Sequence, residues 1–145
     1  KTAVDKALAA LAQMQAEDGS FASIDGPSSE SIAQTIVALT ALGIDPDQDV
    51  RFVKNGNSAW DALLSYYIPG GGFRHVPDGE LDGMSTEQGY YAMVAYYRML
   101  EGKTALQTLP QGKQTKGVPG SRRKILTGRT PRKKVSVCRL YSAER

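Results

Sequence analysis

A short frame occurs twice in this chain and constrains what the rest can be. It reads Gln15-Ala16-Glu17-Asp18-Gly19-Ser20-Phe21 and, 52 positions on, Tyr67-Ile68-Pro69-Gly70-Gly71-Gly72-Phe73. Each copy follows a helix-like pattern, and each leads through a polar loop and a Ser/Thr-Glu pair into a second such pattern. A glycine-loosened turn closed by a large aromatic, recurring in units of about fifty residues, is the punctuation of a helical repeat. Units of this kind bury their apolar faces against neighbouring units.

The first helix is expected from Ala3 to Ala16, capped by Thr2 with Asp5 three residues on. Val4, Leu8, Leu11 and Met14 recur along it at helical spacing. After the turn signal Asp25-Gly26-Pro27, Ser28 or Ser29 caps a second helix reaching Leu42, with Glu30 in its first turn. Ile32, Ile36 and Leu39, widened by Ala33, Val37 and Ala41, make that helix apolar over most of its circumference, as suits the inner member of a packed pair. Gly43 is its expected stop. Asn57 or Ser58, with Asp61, opens a third helix carrying Trp60, Leu63, Leu64 and Tyr67 until Pro69. Ser85, with Gln88 in reciprocal position, opens a fourth that carries Tyr90, Met93, Val94, Tyr97 and Leu100 to Gly102. Overlaying the second and fourth helices places Ser29-Glu30 on Thr86-Glu87. Nothing reads as a strand. The expected fold is all-α, two helical hairpins over about 1–43 and 57–102.

The charge is split along the chain. Residues 1–106 carry 7 Lys/Arg against 14 Asp/Glu, whereas residues 107–145 carry 11 Lys/Arg against one acid, Glu144. The bulk pI near 9.0 therefore belongs to the tail and says nothing of nucleic-acid binding by the body. Residues 107–145 lack apolar periodicity and are expected to be disordered. Their basic runs, Arg122-Arg123-Lys124 and Arg129–Lys134, suit phosphate contact, but with Tyr141 as the one aromatic they offer no stacking platform. A nucleic-acid role is not expected. A single cysteine, Cys138, excludes an internal disulfide framework. No apolar run reaches the ~20 residues of a membrane span. With neither an initiator Met nor a signal peptide at its start, the chain is expected to be a processed product or a fragment.

The frame Gln15-x-x-x-Gly19-x-Phe21 resembles the Gln-…-Gly-x-aromatic repeat of triterpene cyclases. Together with Ser29-Glu30-Ser31-Ile32-Ala33-Gln34 it is similar to the α/α-toroid repeat of terpene cyclases, protein prenyltransferase β subunits and the helical domain of cobalamin carriers. It is most similar to C-terminal repeats in Firmicutes-type extracellular proteins, through Ala38-Leu39-Thr40-Ala41-Leu42-Gly43-Ile44-Asp45-Pro46, Thr86-Glu87-Gln88 and Met99-Leu100-Glu101-Gly102-Lys103. The second copy departs from the frame, with Tyr67 in place of the glutamine. The resemblance spans about 1–106 and implies part of an α/α toroid whose inner helices open their N-termini toward a central cavity. It implies a secreted or cell-surface bacterial protein without catalytic activity, which presents a concave surface to a small ligand or a neighbouring domain. Preceding toroid repeats or another domain are its implied partners. A cobalamin-carrier-like role and a fragment of a divergent cyclase or prenyltransferase are the alternatives.

No catalytic constellation accompanies the resemblance. The acid motif of triterpene cyclases, an Asp-x-Asp-Asp run, is missing from the chain, and Asp45, Asp47 and Asp49 have different spacing. That spacing also opens a calcium loop, but Val50 and Gly56 stand where glycine and glutamate are needed; a solvated turn is expected. The Asp, Cys and His zinc set of prenyltransferases has no counterpart, since Cys138 lies in the tail and His75 in a loop. No cofactor and no metal is expected. His75, near Asp78, Glu80 and Asp82, reads as part of a metal site, as half of an acid–base pair or as a solvated loop residue. The tyrosines around Tyr90, with Trp60, read as core or as cavity lining. Glu30 and Glu87 either meet helix N-termini or, with Gln34, Gln88 and Tyr91, face the cavity as ligand contacts.

Overall fold

The computed structural model describes residues 2–106, and the expected tail lies outside the described residues. Four helices occur in the described chain: α1 (Ala3–Met14), α2 (Ser29–Ala41), α3 (Ala59–Ser65) and α4 (Gly83–Leu100). Between them stand short strands: β1 (Ala22–Ser23), β2 (Gly26–Pro27), β3 (Val53–Lys54), β4 (Asn57–Ser58), β5 (Tyr67–Ile68), β6 (Gly72–Arg74) and β7 (Leu81–Asp82). The fold is thus helix-rich but not purely α. The strands pair antiparallel as β1–β2, β3–β4 and β5–β6–β7. Two-residue strands have no period to read. Their signal lies in turn chemistry instead. Asn55 and Gly56, between β3 and β4, both take left-handed backbone (φ 48° and 84°), the demand that favours Asn-Gly in tight hairpins.

Thr2 and Ser58 cap α1 and α3 with full capping boxes closed by Asp5 and Asp61. α1 stops at Met14, because Gln15 leaves the helix to enter the core. Its Nε2 donates to the carbonyls of Gly19 (3.0 Å) and Phe52 (2.9 Å). The glutamine thereby closes its own turn and clamps the next connector, 37 residues away. Gly19 has φ +82°, and a Cβ there would stand 2.4 Å from the Ser58 carbonyl oxygen. Both Phe21 and Phe73 are buried. In the second copy the left-handed glycine is Gly70 (φ +73°) rather than Gly71, while Gly72 abuts the Thr86 hydroxyl. Tyr67 lies in β5 beyond the end of α3, its ring 5.3 Å from Phe73.

α2 is buried nearly all round, leaving Gln34, Ala38 and Ala41 as its exposed strip. It runs parallel to α4: Glu30 meets Ser85, Gln34 meets Gln88 one turn on, and Val37 and Ala41 share a cavity with Ala95 and Met99. α3 packs against α2, and Trp60 lies 4.8 Å from the Tyr96 ring.

The apolar stripes expected along α1 and α4 are corrected by the structure. Tyr90, Val94, Tyr97 and Leu100 are exposed, and α4 buries Ser85, Gly89, Ala92, Ala95 and Tyr96 instead. Small residues let α2 and Phe73 approach closely, so the smaller side chains face inward. Along α1 only Leu8 is buried, with Val4 and Met14 exposed. Among the described residues, α1 and α4 therefore both carry exposed apolar side chains.

Candidate functional site

The parallel pairing of α2 and α4 brings two helix N-termini side by side, which places two positive dipole ends together. Each receives an acid from the chain itself. Ser28 caps α2, its hydroxyl accepting the Ser31 N–H, and Glu30 follows in the first turn. Asp82 caps α4 and accepts the Ser85 N–H at 2.8 Å. This corrects the sequence expectation that Ser85 is the cap. α4 starts nearly one turn earlier, so the caps correspond as Ser28 with Asp82. Glu87 is then the fifth residue of its helix, not the counterpart of Glu30.

Ser85, fully buried, joins the two ends. Its Oγ lies 2.5 Å from Glu30 Oε1 and 2.8 Å from Asp82 Oδ1, so one hydroxyl proton is shared between two carboxylates. The other Glu30 oxygen meets His75 Nδ1 at 2.8 Å, and the Ser29 N–H donates to the His75 carbonyl. One glutamate thus ties the start of α2 to the start of α4 and to the segment following β6. Burial pushes the Glu30 carboxyl up, but bonds from Ser85, its own backbone and His75 outweigh this and hold it below its ordinary value. The Ser85 N–H, then its hydroxyl, likewise lower Asp82.

Around these groups lies a shallow open pit of about 400 Å³. Glu30 and Asp82 line it with Ser23, Ser31, Gln88 and His75. Gln34 and Gln88 bond across the helix pair at 3.1 Å. Of the expected ligand contacts, Glu30, Gln34 and Gln88 are brought together, whereas Glu87 and Tyr91 are exposed on α4 away from the pit. His75 finds its partner in Glu30, 45 residues away, not in Asp78 or Glu80. No sequence signal marks that pairing. Asp82 was legible as a cap from its residue type.

The arrangement is built to hold and to present polar groups. Ser85 has no access to solvent and already donates its proton, so it is not placed as a nucleophile. Among the described residues no cluster of three or more His, Cys, Asp or Glu is arranged to hold a metal ion. The connector aspartates serve structure: Asp45 accepts from the Asp47 N–H and the Tyr96 hydroxyl, Asp47 from the Ser58 hydroxyl, and Asp49 pairs with Arg51. No described helix is long and apolar enough to cross a membrane. Comparison of the chain with family models, curated proteins and solved structures found no match.

Proposed function

We propose that this chain is a non-catalytic repeat segment of α/α-toroid type, which presents the joined N-termini of two parallel inner helices, with their polar pit, to a small ligand or a neighbouring domain. The observation that carries this reading is the side-by-side parallel run of α2 and α4, fastened at its mouth by Glu30 and Ser85. In a simple up-and-down four-helix bundle the second and fourth helices are also parallel but lie diagonally across the core, whereas here they are direct neighbours. Here an outer helix, α3, intervenes between two parallel inner ones, as toroid repeats require. The exposed Val4 and Met14 of α1 and Val94 and Leu100 of α4 support neighbouring repeats as partners. A secreted or cell-surface bacterial setting belongs to the same proposal and rests on the resemblance of the repeat frame.

Two measurements test it. Cysteines at Gln34→Cys and Gln88→Cys should form a disulfide spontaneously, whereas Gln34→Cys with Leu100→Cys should not. The reverse outcome removes the parallel arrangement. A polar fragment library screened by amide chemical shifts should give hits clustered at Glu30, Ser31, His75 and Gln88. Hits scattered over the surface would refute the presenting role of the pit.

A further inference from the structure

The chain holds two asparagines, Asn55 and Asn57, both exposed. Their side chains are tethers. Asn55 Nδ2 donates to a Glu17 carboxylate oxygen, and Asn57 Nδ2 to the Glu17 carbonyl at 3.1 Å. Together they tie the β3–β4 hairpin to the turn after α1, 38 and 40 residues away. An asparagine modifies itself when the backbone nitrogen of the next residue attacks its side-chain carbonyl carbon, so that nitrogen has to be accessible. The two sites differ in this respect. Among the described residues the Gly56 N–H has no hydrogen-bond acceptor, and a Cβ built on Gly56 would meet no other group within 4 Å. The residue after Asn57 is Ser58, which is buried, and its N–H donates to Asp61 Oδ2 at 3.2 Å in the capping box of α3.

The hairpin tip is also easy to open. β3 and β4 have two residues each, a ladder too short to be stable alone, and exposed tips with few buried contacts open at little free-energy cost. Opening lets the peptide plane after Asn55 rotate out of its left-handed setting (φ 48°) and brings the Gly56 nitrogen to the amide carbon. The same rotation at Asn57 breaks the cap of α3.

We propose that Asn55 is a self-modification site, converting to aspartate and isoaspartate through a succinimide formed with Gly56. The Gly56 nitrogen gives its proton to water or hydroxide and bonds Asn55 Cγ; the Cγ–Nδ2 bond breaks, and the amide group leaves as ammonia. Water then opens the ring, and no oxidation or reduction is involved. Opening at Cγ gives aspartate, whereas opening at the backbone carbonyl gives isoaspartate, with an extra methylene in the main chain. Either product sets a carboxylate against that of Glu17 where a donor had stood, and isoaspartate also disrupts the two-residue turn. The hairpin thereby loses its hold on the turn after α1. The proposal goes beyond the presenting role of the pit and stands independently of it.

The experiment holds the full chain at physiological temperature in mildly alkaline buffer, with and without guanidinium chloride. Conversion at each asparagine is followed by peptide mapping and by enzymatic methylation of isoaspartate. Comparing each site with itself in denaturant cancels the intrinsic ease of the Asn-Gly pair. Folding should slow Asn57 about tenfold, the order of a lost cap, and Asn55 by less than about threefold. In the folded chain isoaspartate should accumulate at residue 55, at a rate that rises with hydroxide, and the urea midpoint should fall with it. Asn55→Gln, whose ring closure is slower, should hold its midpoint over the same period. Suppression of Asn55 by folding as strong as that of Asn57, or conversion at residue 55 with no fall in midpoint, would overturn the assignment.

Discussion

Alanine in place of Gly89 is, by helix propensity alone, a stabilising change. The residue sits inside an 18-residue helix, and glycine there is less favourable than alanine by up to about 1 kcal/mol. The packing reverses the sign. A Cβ at position 89 stands 2.3 Å from Phe73 Cδ2 and 2.6 Å from both Cε2 and Cγ, so the whole ring edge must move. It has nowhere to go. Phe73 is fully buried, flanked by Tyr67 at 5.3 Å and Tyr90 at 5.7 Å. Its N–H is bonded to the Thr86 hydroxyl at 3.0 Å. Overpacking of this kind costs typically ~1–3 kcal/mol. Taking its upper end and subtracting the propensity gain leaves a net loss of about 2 kcal/mol for Gly89→Ala. Urea unfolding followed by circular dichroism reads this as a lower midpoint at unchanged slope. The decisive measurement is a double-mutant cycle with Phe73→Leu, whose smaller side chain removes the obstacle. In that background Gly89→Ala should be neutral or stabilising. A stabilising effect in the wild-type background, or an equal loss in both, would refute the reasoning.

Three further outcomes are expected. Gly19→Ala should destabilise by about 3 kcal/mol and Gly43→Ala by about 1, because both have positive φ but only Gly19 also meets a carbonyl oxygen; equal losses in thermal unfolding would show the Ser58 approach to be compliant. Gln15→Leu strips two buried carbonyls of their donor and should cost about 2–3 kcal/mol, measured by the same urea midpoint; a loss below 1 would mean that solvent replaces the amide. Glu30 has a depressed carboxyl, so its charged contacts contribute fully above the ordinary value of 4.5 and are lost as pH falls through its lower folded value. The stability difference between wild type and Glu30→Gln should accordingly shrink as pH falls below 4.5. A difference that grows on acidification would reverse the assigned sign.

The sequence was informative wherever the determining contact is local. Caps are settled within three residues by hydroxyl or carboxylate geometry: Thr2 stands as expected, and Ser28 and Ser58 are each one of the two candidates the sequence offered. Buried helix α2 was also legible, since a helix apolar on most sides has few places to be. Reading failed where two chain segments compete for one face. Large side chains such as Tyr90, Val94 and Tyr97 look like core, yet Gly89, Ala92 and Ala95 won the interior because closeness of approach mattered more than side-chain size. Of the residues expected to face a cavity, Glu30 and Gln88 line the pit and Gln34 bonds Gln88. The partner of His75 depended on an interhelical register that no local pattern encodes, and the early start of α4 moved Glu87 out of the place it shares with Glu30 by overlay.

The brevity of the strands bears on how the proposed neighbouring repeats could attach. Adding a strand to a sheet edge requires a run of unpaired N–H and C=O groups, and strands of two or three residues supply no such run. Neighbouring repeats of the kind proposed would therefore have to dock by helix faces. Contacts made that way rest on apolar surface and shape, so they resist salt and depend on close fit. A neighbour that lacks a face matched to Val94 and Leu100 would find no backbone ladder to fall back on, and strand-templated aggregation has no foothold among the described residues.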